Sequence, residues 1–275
     1  MFSDAYVPFL EILRILVAFC FLFVSSWYDF KTREVPNRVW LFFAPIGFTL
    51  AALQSLLNFT AGESVDPVLW LFSLGVTGGI SLALFYLGLF GGADAKALIC
   101  LSITLPVRPS SISHQTNMLT PLFPLTVLSN AVLASSSLVL VITSYNLFKL
   151  IQTKGRLFDG LEGEPIWSKI VAFTTGFKVD SDKLRNGSHY MPLEYLSEEK
   201  DGETVRHLRV SVRLIEETPQ ESSIFIDLPR ELGGRIWATP GLPFLVFVTA
   251  GFVAALFFGD FVTWFIVQLI ATGIL

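Results

Sequence analysis

The sequence of 275 residues is 52% hydrophobic and contains 26 phenylalanines, which excludes an ordinary soluble domain. Apolar stretches of about 20 residues recur, the length that a helix needs to cross a bilayer. The formal net charge of −4 says little by itself, because residues 152–236 hold 12 of the 19 Lys and Arg and 15 of the 23 Asp and Glu. The composition predicts a protein partnered by the lipid bilayer, with no nucleic-acid partner and with a charged insert.

Six apolar spans follow one another along the chain, at residues 6–27, 39–57, 68–90, 94–105, 121–150 and within 240–275. The first exceeds the apolar core of a signal peptide and lacks a basic start and a cleavage site, so we expect a retained helix. In the third, Gly75, Gly78 and Gly79 predict close helix packing. The fourth barely reaches across a bilayer. Gly259-Asp260 divides the last stretch, which predicts either a long tilted helix or a span plus an interfacial segment.

These patterns predict an all-α polytopic membrane protein of about six transmembrane helices, with a small α+β or mostly-β cytosolic insert before the last helix. The predicted parts are a membrane domain at 1–151, the soluble insert at 152–236, and the last helix with a C-terminal segment at 237–275. In the insert, 205–214 and 223–228 are candidate strands, 216–220 a turn and 167–173 an amphipathic helix. Lys and Arg residues concentrate on the insert's side of the membrane, which predicts that this side is cytosolic.

Two acidic residues interrupt the apolar spans. Asp29 closes the first span, and Asp94 follows the turn Gly91-Gly92-Ala93 and opens the fourth. Ionisable groups at membrane depth are costly and are therefore functional candidates. Two adjacent carboxylates repel each other when both are ionised, so one tends to stay protonated. One can then act as base and the other as acid in peptide hydrolysis. Helix dipoles favour Asp94 as the base and Asp29 as the acid. The alternative interpretation is that each carboxylate only caps local hydrogen bonds.

Two motifs resemble those of the type IV prepilin peptidases, in particular the archaeal prepilin and preflagellin branch of the GxGD-type membrane aspartyl proteases. They are Asp29…Arg33-x-Val35-Pro36-Asn37 and Gly91-Gly92-Ala93-Asp94-Ala95-Lys96. Ala93 stands where the family signature has a second glycine. Residues 124–130, 158–163, 176–179 and 237–244 are also similar to stretches of the archaeal proteins.

The resemblance implies an aspartic endopeptidase that removes short basic leader peptides from pilin-like or archaellin precursors at the cytosolic membrane face. It implies no metal and no organic cofactor. Bacterial relatives add a zinc domain with paired Cys-x-x-Cys motifs and methylate the new amino terminus. Cys20 and Cys100 are the only cysteines and are expected to be small core residues, so we expect no N-methyltransferase activity.

The predicted catalytic residues are Asp29 and Asp94. Residues predicted to bind substrate or shape the site are Gly91, Gly92, Ala93, Lys96, Arg33, Glu34, Pro36, Asn37, Asn130 and Pro243. Asn130 is an isolated amide in the fifth span, a type that more often bonds between helices. Glu34 is the acid nearest to Asp29 in sequence and is a candidate for selecting basic leaders.

Three other functions fit parts of the pattern. A presenilin-like intramembrane protease also uses Tyr-Asp and Gly-x-Gly-Asp, but it needs a Pro-Ala-Leu, to which Pro243-Phe244-Leu245 is a loose analogue. An ion-coupled transporter also uses intramembrane carboxylates, although no internal repeat is found here. A membrane scaffold would work through its insert and would keep its function after Asp94→Asn.

Overall fold

The computed structural model describes residues 3–60, 67–110, 121–181, 184, 190–198, 204–208 and 234–272. The fold is mostly helical, with α1 at Ser3–Thr32, α2 at Asn37–Thr60, α3 at Pro67–Tyr86, α4 at Gly92–Thr104, α5 at Phe123–Gln152, α6 at Ile166–Thr175, α7 at Phe244–Phe257 and α8 at Phe261–Ala271. Helices α1, α2, α3 and α5 are long and apolar enough to cross a membrane, and α7 is a shorter apolar helix. The chain is therefore a multi-pass membrane protein.

Among the described residues, four helices reach the length of a full span, whereas the sequence predicted about six spans. Helix α4 has 13 residues and is about 20 Å long, whereas the hydrocarbon core of a bilayer is about 30 Å thick. The last apolar stretch is not one long tilted helix, because α7 and α8 are separate helices that meet at Phe258–Asp260. Six full spans are therefore not confirmed, and the division predicted at Gly259-Asp260 is present.

The chain forms two compact units, residues 1–135 with 243–275, and residues 136–242. In the first unit α1 packs against α2 and α7, and α4 packs against α2 and α3. The core is apolar, and its largest fully buried side chains come from α1, α2, α4, α5 and α7: Leu22, Phe43, Leu98, Leu101, Phe123 and Phe252. The predicted division at residues 151/152 and 236/237 stays a prediction.

Side chains of α1 and α3 satisfy the carboxyl end of the short helix α4. The last carbonyls of any helix lack partners within it, and hydrocarbon supplies no water to replace them. Nε of Arg14 donates to the Thr104 carbonyl at 2.7 Å, as does Nη2, while Nη1 donates to Oε1 of Gln54 at 2.6 Å. Nε1 of Trp70 donates to the Ile103 carbonyl at 3.1 Å. These bonds fix the end of α4 among three neighbouring helices.

The glycines that permit close helix packing are not the predicted ones. A Cβ at Gly75 or Gly79 would meet no atom of the described residues within 4 Å, and one at Gly78 would make an ordinary contact. A Cβ at Gly47 of α2 would overlap the Thr104 side chain of α4, and one at Gly251 of α7 would lie 2.6 Å from the Val127 carbonyl of α5. The prediction from the third span was therefore wrong.

The second unit contains α6, the second half of α5 and five strands: β1 at Phe177–Asp180, β2 at Tyr190–Pro192, β3 at Glu194–Glu198, β4 at Thr204–Leu208 and β5 at Arg235–Pro240. The strands form an antiparallel sheet in the order β1-β5-β2 and a separate β3–β4 hairpin. The fully buried Glu194 carboxylate on β3 joins the hairpin to the sheet. It accepts a hydrogen bond from the Trp237 amide of β5 at 2.7 Å and one from Nε of Arg206 of β4 at 2.9 Å.

This unit agrees with the predicted mixture of helix and strand in the insert. Helix α6 covers the predicted amphipathic helix at 167–173, and β4 covers the start of the predicted strand at 205–214. The predicted strand at 223–228 and the turn at 216–220 lie outside the described residues.

The glycine contacts predict opposite effects for equivalent substitutions. Gly47→Ala should destabilise the protein by about 1–3 kcal/mol, because an overpacked core must shift to accept the methyl group. Gly75→Ala should be neutral or slightly stabilising, since alanine favours a helix over glycine by about 1 kcal/mol. Thermal unfolding of both variants in the same detergent provides the measurement. An unchanged melting temperature for Gly47→Ala would contradict the close α2–α4 contact.

Candidate active site

The amino-terminal end of α4 holds Asp94. Gly91 is the N-cap residue, and the Asp94 Oδ2 atom accepts a hydrogen bond from the Gly91 amide at 2.9 Å. The Asp94 side chain is 9% exposed, so the carboxylate is almost enclosed by protein. A Cβ at Gly91 would lie 3.2 Å from the same Oδ2 atom, which is tighter than ordinary contact. Glycine at position 91 therefore makes room for the carboxylate.

The turn before Asp94 differs from the sequence prediction. The left-handed residue is Gly88, at φ 71°, whereas Gly91 is extended at φ −71°. Gly92 and Ala93 are the first two residues of α4 rather than parts of a flexible turn. The backbone freedom of glycine is thus used at Gly88, three residues earlier than predicted.

Asp29 lies inside a helix rather than beyond its end. Helix α1 continues five residues past the predicted span and ends at Thr32, so Asp29 is in its last turn. The half-buried Asp29 carboxylate accepts the backbone amide of Leu245 through Oδ2 at 3.1 Å. Leu245 is the second residue of α7, and Pro243 is the N-cap residue of that helix. Pro243, predicted from sequence, is therefore brought to Asp29.

The two sequence motifs meet in space. Asp94 and Asp29 lie close enough to interact electrostatically. The Phe90 and Phe244 rings, which precede α4 and begin α7, pack with their centroids 5.0 Å apart. Nζ of Lys96 donates to Oδ1 of Asn37 at 2.8 Å, which joins α4 to the start of α2. The segments around both aspartates therefore form one cluster.

The α1–α2 connection supplies the remaining predicted residues near Asp29. Arg33 ends α1 in a left-handed conformation at φ 60°, and its amide donates to the Asp29 carbonyl at 3.2 Å. The Arg33 guanidinium interacts electrostatically with Asp29, and its Nε and Nη1 atoms are buried without a hydrogen-bond partner among the described residues. Glu34 and Pro36 are exposed. The Pro36 carbonyl accepts the Val39 amide at 3.0 Å and starts α2.

The structure does not bring Asn130 to the aspartates. The Asn130 side chain donates to the Gly259 carbonyl at 2.8 Å and accepts the Phe261 amide at 3.1 Å. These partners lie past the carboxyl end of α7, about 20 Å along that helix from Leu245. Asn130 joins α5 to the α7–α8 turn, so its inclusion among the site residues was wrong and its interhelical role is correct.

Sequence reasoning missed the hydrogen bonds between α1 and the start of α7, including the Leu245 amide that donates to Asp29. The Ser26 hydroxyl, one turn before Asp29, donates to the Leu245 carbonyl at 2.7 Å and lies 2.6 Å from the Thr249 hydroxyl. These bonds hold the start of α7 beside Asp29. The polar pair Ser25-Ser26 within an apolar span was the available signal. The Leu245 amide left no signal, because a backbone donor does not depend on side-chain identity.

The α7 amide also changes the predicted difference between the carboxylates. Asp29 is near the carboxyl end of α1, where the dipole disfavours an anion, but it faces the amino end of α7, where the dipole favours one. Asp94 sits at the amino end of α4. Both carboxylates therefore contact a helix amino terminus, and the dipole argument no longer assigns the base and the acid.

The remaining question at the site is whether His, Cys, Asp or Glu side chains could hold a metal ion, and where the two cysteines lie. No cluster of three or more His, Cys, Asp or Glu side chains with metal-binding geometry occurs in the part of the chain that the structure describes. Cys100 is buried as predicted. Cys20 is exposed on α1, so its prediction as a core residue was wrong.

Comparison with known proteins agrees with the resemblance seen in the sequence. The model of the type IV leader peptidase family matches residues 16–144, which include both aspartates. The model of the archaeal peptidase A24 C-terminus, type II, matches residues 168–261, which include most of the second unit and α7.

Two archaeal proteins are similar to this chain. A preflagellin peptidase of Methanococcus voltae is 27% identical over 244 residues, covering 87% of this chain and 92% of that protein. The prepilin peptidase EppA of Methanothermobacter thermautotrophicus is 28% identical over 159 residues, covering 54% of this chain and 39% of that protein. The predicted resemblance to the type IV leader peptidases is therefore confirmed, because both family models and both relatives are peptidases of the prepilin and preflagellin class.

Proposed function

We propose that the protein is an aspartic endopeptidase that removes short basic leader peptides from pilin-like or archaellin precursors at the cytosolic membrane face, without N-methyltransferase activity. The observation that carries the proposal is the meeting of Asp29 and Asp94, each carboxylate accepting one helix-terminal amide. The names of the two relatives, a preflagellin peptidase and a prepilin peptidase, support the substrate class.

The proposed mechanism uses the two carboxylates as one acid–base unit that shares a proton. The ionised carboxylate takes a proton from water, and the water oxygen bonds to the carbonyl carbon of the scissile peptide. The protonated carboxylate gives its proton to the carbonyl oxygen. When the tetrahedral intermediate collapses, the C–N bond breaks and the nitrogen receives a proton, which leaves a carboxyl end on the leader and an amine on the mature protein.

The helix-terminal amides give this unit its geometry. The Gly91 amide fixes Oδ2 of Asp94, and the Leu245 amide fixes Oδ2 of Asp29. Each carboxylate therefore keeps its second oxygen available for water or substrate. Such preorganisation lowers the reorganisation needed during reaction, which is the usual source of electrostatic catalysis.

The α1–α2 connection lies beside Asp29 and carries two residues to which we give roles in the proposed reaction. Glu34 is exposed and offers a negative charge to a basic residue before the scissile bond. The Arg33 guanidinium interacts electrostatically with Asp29, and its Nε and Nη1 atoms are buried. We assign Glu34 to leader selection and Arg33 to shaping the site through its positive charge beside Asp29.

The catalytic proposal predicts that Asp29→Asn and Asp94→Asn each lower leader removal by about 100-fold or more, because an amide cannot exchange the proton. Asp260→Asn is the matched control. Asp260 is also a buried acid, and its Oδ1 accepts the Val262 amide at 2.9 Å, a bond that asparagine can retain. Processing of a co-expressed precursor, with the new amino terminus mapped, gives the readout. Near-normal processing by either active-site variant would remove that aspartate from the mechanism.

The close approach of Gly91 to the Asp94 carboxylate predicts that alanine substitutions at Gly91 and Gly92 lower leader processing to different extents. Gly91→Ala should lower processing by about tenfold, since the methyl group displaces Oδ2 of Asp94 and weakens a hydrogen bond to a charged group, a type worth about 1.5–3 kcal/mol. Gly92→Ala should be milder, because its Cβ would meet only Phe85, at an ordinary 3.6 Å. The two initial rates are compared at equal protein levels. Equal rates would show that the Asp94–Gly91 contact does not matter for activity.

The proposed orientation is tested by labelling cysteines on intact cells. In a background without Cys20 and Cys100, Thr60→Cys at the end of α2 should react with an impermeant thiol reagent. Asp180→Cys on β1 should react only after the membrane is opened, because the proposal places the second unit in the cytosol. Both positions are exposed, so accessibility within the protein is matched. Labelling of position 180 in sealed cells would place this unit outside and reject cytosolic processing.

A further inference from the structure

Helix α6 of the second unit presents an apolar stripe outward. Ile166 and Trp167 are 74% and 77% exposed, and Ile170 and Val171 are also exposed. With 100° per residue, these four side chains lie within one continuous arc of about 140°. A continuous exposed stripe that includes a tryptophan is unusual for a surface in water and indicates a binding face.

The opposite face of α6 fixes its rotation. Ala172 is fully buried in an apolar cluster with Leu161, Leu208 and Trp237 of the same unit. Nζ of Lys169 donates to the Glu162 carbonyl at 3.0 Å, which ties the middle of the helix to the preceding loop. The stripe therefore cannot turn inward without breaking the packing of this unit.

Hydrogen bonds place α6 beside the end of a membrane helix. The buried Asn146 side chain of α5 donates to the Phe173 carbonyl at 2.7 Å and to the Gly176 carbonyl at 2.6 Å, which are at the carboxyl end of α6. Asn146 lies six residues before the end of α5, about 9 Å along the axis. Its neighbours Tyr145 and Lys149, with Nζ 5.8 Å from the ring centroid, are residue types that mark a membrane–water interface.

The surface of α5 at this level is also apolar and exposed. Leu147, Phe148 and Ile151 are 52%, 58% and 70% exposed on a helix long enough to cross the membrane. The stripe of α6 and this apolar part of α5 belong to one compact unit, in which Asn146 bonds the carboxyl end of α6 to α5. Exposed apolar side chains therefore occur both on a helix long enough to cross a membrane and on a short helix that cannot cross.

We propose that α6 is an interfacial membrane helix, which inserts Ile166, Trp167, Ile170 and Val171 into the headgroup boundary of the bilayer that α5 crosses. Its 10 residues are far fewer than a span needs, whereas a helix lying in the interface buries one apolar face. Exposed charges near α6 are mixed, with Lys154 and Arg156 beside Asp159 and Glu162. The recognised partner is therefore the lipid surface itself, through apolar insertion. This proposal does not depend on the peptidase mechanism.

The test measures the depth of α6 in full-length protein. Cys20 and Cys100 are replaced, and Trp167→Cys carries an environment-sensitive fluorophore. The protein is reconstituted in phosphatidylcholine nanodiscs, where both faces are open to buffer. The matched control carries the label at Asp180→Cys, an exposed position of β1 that is outside the stripe. Quenching is measured with lipids carrying a nitroxide near the headgroup and, separately, with aqueous iodide.

The label at position 167 should be quenched several-fold more by nitroxide lipid than the label at 180, and several-fold less by iodide. Ile170→Asn should reduce lipid quenching at 167, whereas Ile170→Leu should preserve it; Ile170 is exposed, so neither change removes a core contact. Equal iodide quenching at 167 and 180 would overturn the proposal. Protection of position 167 from both quenchers would also overturn it, because a protein partner rather than lipid would then cover the stripe.

Discussion

The short helix α4 imposes the main constraint on this fold, because both of its ends lie among other helices and need hydrogen-bond partners there. At the carboxyl end, Arg14 and Trp70 supply the donors that water would supply in a soluble protein. The positive guanidinium also faces the negative end of the helix dipole. At the amino end, the Asp94 carboxylate accepts the Gly91 amide. The candidate catalytic group is thus part of the structure that terminates this helix.

A second helix terminus completes the site. The Leu245 amide at the start of α7 reaches Asp29, which projects from the last turn of α1. A free helix amino terminus in a membrane requires an acceptor, and a carboxylate in a membrane requires a donor. Each requirement satisfies the other, so the hydrogen bonds that end α4 and begin α7 also offset the cost of burying the two carboxylates. The alternative interpretation of the aspartates as caps is therefore compatible with catalysis, since one oxygen of each carboxylate makes the cap.

The features predicted correctly from the sequence are those that depend on the chemistry of the side chains. The apolar spans, the polar insert and the pairing of the Asp29 and Asp94 motifs all depend on residue type and spacing. It did not predict Leu245, because a backbone amide donor does not depend on side-chain identity. It assigned close packing to Gly75 instead of Gly47, because a glycine's neighbour across a helix interface is not encoded nearby in sequence. The end of α1 was placed too early because the polar residues Asp29 and Lys31 resembled a loop, although the helix continues to Thr32.

Helix α1 connects the two ends of α4. Arg14 and Asp29 are 15 residues apart, which corresponds to about 22 Å along the axis and a rotation of about 60°. They therefore project from nearly the same face of α1, and this face meets the Thr104 carbonyl at one level and the surroundings of Asp94 at the other. A helix held at only one end could slide or tilt against its neighbour. Because α4 is held at both ends, the height of Asp94 relative to Asp29 depends on a buried arginine that lies far from the chemistry.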